Sequence, residues 1–148
     1  MKVNFAGLAA VLGMAAIAAF NIPVRAEQAP ARSVLDGVYT AEQAKRGEAL
    51  YGQSCATCHG NELGGQDESP ALTGSSFTSN WAGTTAGELA DRIRVSMPAN
   101  DPGKLNRQEA SDVLAYILSY NKYPTGDKEL PKEAEMLSQI KIVAPKQG

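Results

Sequence analysis

Apolar residues recur at helical spacing in three stretches of the chain, and nowhere do they alternate long enough to build a sheet. Thr40 and Gln43 have capping-box spacing. Beyond them Ala44, Gly47, Leu50 and Tyr51 share one face, which predicts a first helix over residues 41–54. Residues 60–81 are rich in Gly, Ser, Pro and Asn and hold no period. They read as a long loop with one or two short turns, and such loops in small domains usually wrap something. Thr85 and Glu88 repeat the capping spacing. Leu89, Ile93 and Val95 then supply the apolar positions of a second helix that must end before Pro98, which puts Met97 at its exit. Asn106 with Glu109 starts a third helix, whose inward face is Ala110, Val113, Leu114 and Ile117, flanked by Tyr116 and Tyr120. From Lys122 onward Pro124, Gly126 and Pro131 break the pattern, leaving a surface tail over 122–148 with one short helix near residues 133–138. The pattern is that of an all-α domain with few helices and much loop.

The N-terminal segment has a different character. Lys2 precedes an apolar, Ala-rich run over residues 5–20, and Val24-Arg25-Ala26 ends it with small residues, so residues 1–26 read as a secretory signal cleaved after Ala26. The alternative is a retained anchor, but the 16-residue run falls short of the roughly 20 needed to span a bilayer. Residues 27–39 then form a linker and residues 40–121 the principal domain. Cleavage leaves 122 residues and removes two bases and no acid, moving the net charge from −2 to −4. That balance argues against a nucleic-acid binder, and after signal removal no membrane span remains.

Two cysteines and the single histidine fall within five consecutive positions, Cys55-Ala56-Thr57-Cys58-His59, directly after the first helix. A disulfide across so short a loop would stabilise little. A thioredoxin-like pair expects a βαβ setting that is missing, and a zinc site would lack a fourth ligand. The pentapeptide is instead the attachment sequence for a c-type haem. Cysteines three apart on a helical turn can each add a thiol across one vinyl group, and His59 is then placed to donate an imidazole nitrogen to iron. One such sequence means one haem c. Because His59 is the only histidine, a second axial ligand must be of another kind. Met97 and Met136 are the methionines outside the signal. Met97 lies 38 residues after His59, before a proline that holds extended backbone, and is the expected ligand. Met136 reads as a gap-filling core residue.

These residues resemble class I cytochrome c over most of residues 40–120. The resemblance implies a cytochrome c-like small helical domain with long haem-wrapping loops. It implies that Gly47, four before Tyr51, lets the first helix approach the last through Val113 and Tyr116. It further implies that in Ser69-Pro70-Ala71-Leu72-Thr73-Gly74 the Pro70 carbonyl orients His59 while Leu72 packs on the ring, and that Trp81 hydrogen-bonds a haem propionate. Residues 33–40, 81–85, 97–103 and 115–118 are similar to the cytochrome partners or cytochrome domains of quinoprotein (PQQ-dependent) dehydrogenases.

A haem held by both axial positions exchanges electrons and has no open site for substrate. The expected function is therefore periplasmic carriage of single electrons, without enzymatic activity, from a dehydrogenase, quinoprotein in type, to a terminal oxidase or another cytochrome. Two alternatives stay open: a haem sensor or enzyme in which Met97 is displaced, and a permanent cytochrome subunit of an oxidoreductase complex. Arg92, Arg94, Lys104 and Arg107 bracket Met97 in sequence, either as a positive docking rim or as solvated helix faces.

Overall fold

A computed structural model describes residues 1–2 and 32–145. The cleavage site and the apolar run of the signal lie outside the described residues. Among the described residues no helix is long and apolar enough to cross a membrane. Six helices follow in order: α1 (Ala41–Ser54), α2 (Ala56–His59), α3 (Gly74–Trp81), α4 (Ala86–Ser96), α5 (Arg107–Tyr120) and α6 (Ala134–Leu137).

The three long helices start where their caps say they should. The Thr40 hydroxyl accepts from Gln43 N–H. Thr85 with Glu88 and Asn106 with Glu109 form complete capping boxes. At Thr40 the box is only half made, because the Gln43 side chain is used elsewhere. It is fully buried, accepts from Leu130 N–H at 2.7 Å and donates to Leu130 O at 3.1 Å.

The frame is the crossing of α1 over α5. A Cβ on Gly47 would lie 1.8 Å from Asp112 O and 3.0 Å from Tyr116 Cβ, so the helices touch backbone to side-chain root. The resemblance placed this crossing at Val113 and Tyr116. The close partner is Asp112, with Val113 buried beside it. Beyond the crossing Tyr51 packs under Tyr116, ring centroids 5.2 Å apart. At its rim Arg46 grips the buried Asp112 carboxylate with two nitrogens, at 3.0 and 3.1 Å, and Gln108 adds a third donor at 2.9 Å. Arg46 is 45% exposed, so this pair chiefly satisfies a carboxylate that would otherwise be stranded.

Three sequence expectations are corrected. Residues 74–81 are not loop. They form α3, in which poor helix formers are held by one anchor, Phe77, buried edge-on to Tyr123 with centroids 6.4 Å apart. The 27–39 segment is not a linker in its described part, because Val34, Val38 and Tyr39 are core residues. Nor is 122–145 a surface tail: Tyr123, Leu130, Leu137, Ile140 and Ile142 are buried. The two segments are isolated apolar residues without a period and so carry no helix or sheet signature, but they complete each other. Strand β1 (Arg32–Ser33) pairs in parallel with β2 (Ile140–Lys141). Tyr39 donates to Tyr123 O, Gly126 N–H donates to Tyr39 O at 2.7 Å, and Tyr123 donates to Val143 O at 2.7 Å. Gly37 and Gly126 cross with no room for a Cβ on either. Met136, expected in the core, is 55% exposed on the outer side of α6.

The crossing makes a paired prediction. Gly47→Ala should lower the unfolding free energy of the haem-loaded protein in urea by at least about 2 kcal/mol, as overpacking against backbone does. Gly52→Ala on the same helix, where a Cβ meets nothing within 4 Å, should raise it by about 0.5–1 kcal/mol.

Candidate functional site

Helix α1 ends at Cys55, whose φ of −122° and ψ of −34° turn the chain into α2. Cys55 O accepts from Cys58 N–H at 3.1 Å and from His59 N–H at 2.9 Å, so the two thiols lie one helical turn apart with the imidazole just beyond. Both cysteines are free, Cys58 exposed and Cys55 half-buried. Burial, reinforced by the neighbouring Cys58 thiol, pushes the Cys55 thiol up to about 11. Tyr51, fixed by the helix crossing, donates to Gly60 O at 2.7 Å and so anchors the far end of the turn. Burial and the adjacent Cys55 raise the Tyr51 phenol, keeping it a donor.

His59 is 8% exposed, and its Nδ1 lies 2.9 Å from Pro70 O. A carbonyl only accepts, so Nδ1 carries the proton and Nε2 keeps its lone pair. Nε2 makes no hydrogen bond among the described residues. No sealed side-chain nitrogen there lacks a partner, so Nε2 opens onto accessible space.

The Pro70 carbonyl is held from several sides. Gly65 N–H donates to His59 O at 2.9 Å, Gln66 and Ser69 form a small bridge, and Leu72 N–H donates to Leu63 O at 2.7 Å. Gly65 has a φ of +76°, and a Cβ there would lie 2.6 Å from Ser69 O and 2.7 Å from Ala71 N. From the other side Asn121, capping the end of α5, donates to Leu72 O at 2.9 Å and accepts from Gly74 N–H at 3.0 Å. Neither Gly65 nor Asn121 was singled out from the sequence. A Gly-Gly pair in a loop and an Asn at a helix end are ordinary punctuation, and their partners are distant in the chain.

The remaining expected residues enter separately. Leu72 is half-buried against the core. Trp81 ends α3, half-buried, with its carbonyl accepting from the Thr84 hydroxyl at 2.8 Å; its indole has no hydrogen bond among the described residues. Met97 caps the C-terminus of α4 in extended conformation, its N–H on Ile93 O at 3.2 Å and its side chain half-exposed. No hydrogen bond links Met97 or Trp81 to His59 among the described residues. Of the basic residues around Met97, Arg94 is engaged with Asp91 at 3.0 Å, while Arg92, Lys104 and Arg107 are exposed.

A family model described as "Cytochrome C oxidase, cbb3-type, subunit III" matches residues 42–117, just over half of the chain. The chain belongs to this family. It is a class I c-type cytochrome of all-α fold, an electron-transfer protein of a family that binds haem c covalently. The crystal structure of the sulfane dehydrogenase SoxCD from Paracoccus pantotrophus is similar at 22% identity with a TM-score of 0.48. That alignment covers 72% of this chain and 60% of the other, so the cytochrome spans less than two-thirds of that protein's length. Among curated proteins nothing matches. The donor set suits the family's cofactor: two thiols one turn apart and an imidazole with its outward nitrogen unprotonated and accessible.

The packing around Pro70 can be tested. Gly65→Ala, both strained and colliding with backbone, should cost about 1–3 kcal/mol in urea unfolding of the haem-loaded cytochrome. Gly64→Ala, with nothing within 4 Å, should stay within about 0.5 kcal/mol of the parent.

Proposed function

We propose that this cytochrome is a periplasmic, single-haem carrier that moves one electron at a time from a dehydrogenase, quinoprotein in type, to a downstream oxidase or cytochrome, and catalyses no substrate chemistry itself. In this reading residues 1–26 direct export and are removed. Cys55 and Cys58 hold the haem through thioether bonds, and His59 and Met97 are the axial ligands. Pro70 orients His59, Leu72 packs on the macrocycle and Trp81 lies at its propionate side. The observation that carries the reading is the Nδ1–H bond from His59 to Pro70 O, which turns the unprotonated Nε2 outward beside a cysteine pair of attachment spacing.

When bound, the haem supplies Fe(III)/Fe(II) exchange. The chain's own residues decide how that exchange is used. Pro70 O, by accepting from Nδ1, strengthens the donor power of Nε2 and fixes the ring plane. Pro98 is buried, and with α4 it holds the Met97 backbone extended at a helix end. Thioether ligation by Met97 would favour the reduced state relative to a second imidazole. With both axial positions taken by protein, small ligands have no place at iron.

A permanent subunit is the second reading, favoured by the family's own description as subunit III of an oxidase. Gel filtration from native extract separates the two: a carrier elutes alone, a subunit in a stoichiometric complex.

The ligand assignment is tested by absorption spectroscopy. The parent should be six-coordinate and low-spin in both redox states, and its reduced form should not bind carbon monoxide. Met97→Ala should bind carbon monoxide when reduced and have a lower midpoint potential. A high-spin parent, or a variant with unchanged spectrum and midpoint, overturns the assignment. Covalent attachment is checked with the double variant Cys55→Ser, Cys58→Ser, whose haem should extract into acidified organic solvent while the parent's remains with the protein.

A further inference from the structure

Asn121 lies outside the matched family span, yet its side chain touches the segment that orients His59. Its amide orientation is fixed by its neighbours. Gly74 N–H can only donate, so the oxygen faces it at 3.0 Å, and the two amide protons go to Leu72 O and Ile117 O, each at 2.9 Å. All the hydrogen-bonding groups of the half-buried amide that face protein are therefore used, and they join the last turn of α5 to backbone 47 and 49 residues earlier. The tethered stretch begins two residues after Pro70. On its other side the stretch is held to the loop through Leu72 N–H on Leu63 O.

We infer that Asn121 is a positioning residue for the axial histidine: its amide ties the backbone at Leu72 and Gly74 to α5 and thereby keeps the Pro70 carbonyl on His59 Nδ1–H. The inference rests on the reading of His59 as an iron ligand. Without the amide, the stretch after Pro70 loses its two bonds to α5. Pro70 O can then drift from Nδ1, and the ring becomes a weaker donor through Nε2. A weaker donor stabilises the oxidised state less, so the consequence is a more easily reduced protein.

The test uses the haem-loaded protein and the variants Asn121→Ala, which removes both ties, and Asn121→Asp, which keeps the acceptor for Gly74 N–H and loses the donor to Leu72 O. In Asn121→Ala the His59 Nδ1 proton, followed by NMR in the reduced state, should exchange at least tenfold faster than in the parent. The ratio of reduced to oxidised protein at fixed ambient potential should rise two- to fivefold. Asn121→Asp should move both readouts in the same direction by less, and it carries the test if the alanine variant does not fold. The acceleration at His59 must exceed that of the Leu114 and Leu118 amides in α5. Equal acceleration at those amides, an unchanged Nδ1 proton, or a ratio that stays or falls would reduce Asn121 to a structural cap and overturn the proposal. A parent lacking the low-spin spectrum would overturn the ligand reading itself, and the inference with it.

Discussion

Two helices can approach until one backbone rests on the other only where a side chain is missing, and in this cytochrome that position is Gly47. The absence of a Cβ there lets α1 lie on Asp112 O of α5. Everything near the cysteines inherits its position from that contact. One turn later Tyr51 meets Tyr116, and its hydroxyl holds Gly60 O. Cys55 and His59 are thereby placed at a defined distance along α1 from the crossing, whose far helix ends in Asn121. From Asn121 the constraint returns through Leu72 and Gly74 toward Pro70 and so to His59 Nδ1. The imidazole is thus bounded on one side by the helix that carries it and on the other by the helix that α1 crosses.

The segments flanking the matched family region secure the opposite wall. Residues 32–39 and 122–145 meet through the parallel strand pair, the Gly37–Gly126 crossing and the Gln43–Leu130 bonds. Ser111 joins them, its hydroxyl within 3.0 Å of Pro131 O. Their outer end reaches α4. Gly83 N–H donates to Ile142 O at 2.8 Å, Ile142 N–H donates to Thr84 O at 3.0 Å, and a Cβ on Gly87 would lie 3.0 Å from Ser138 N. Helix α4 is consequently fixed at its capped start and along its back, and Met97 is presented from its other end. A carrier changes charge with little change of shape, and a helix braced in this way suits that requirement.

Much of this was legible in the chain. The caps at Thr40, Thr85 and Asn106, the apolar faces of α1, α4 and α5, the Cys-x-x-Cys-His turn and the exit at Met97 all depend on residues within a few positions of one another. Their physics is one of local hydrogen bonds, helical period and the missing N–H of proline, which a linear sequence displays. The resemblance added Pro70, whose distance to His59 Nδ1 is 2.9 Å.

What only the tertiary structure decided was everything that joins distant segments. The helix at residues 74–81 exists because Phe77 finds Tyr123. Residues 32–39 and 122–145 are core because each supplies what the other lacks. Gln43 abandons its own cap for a backbone 87 residues away, and Asn121 spans 47 residues to Gly74. None of these has a local signature, since the free energy of burying a side chain or pairing an amide depends on which partner arrives, and that is settled by the α1–α5 crossing and not by neighbours in sequence.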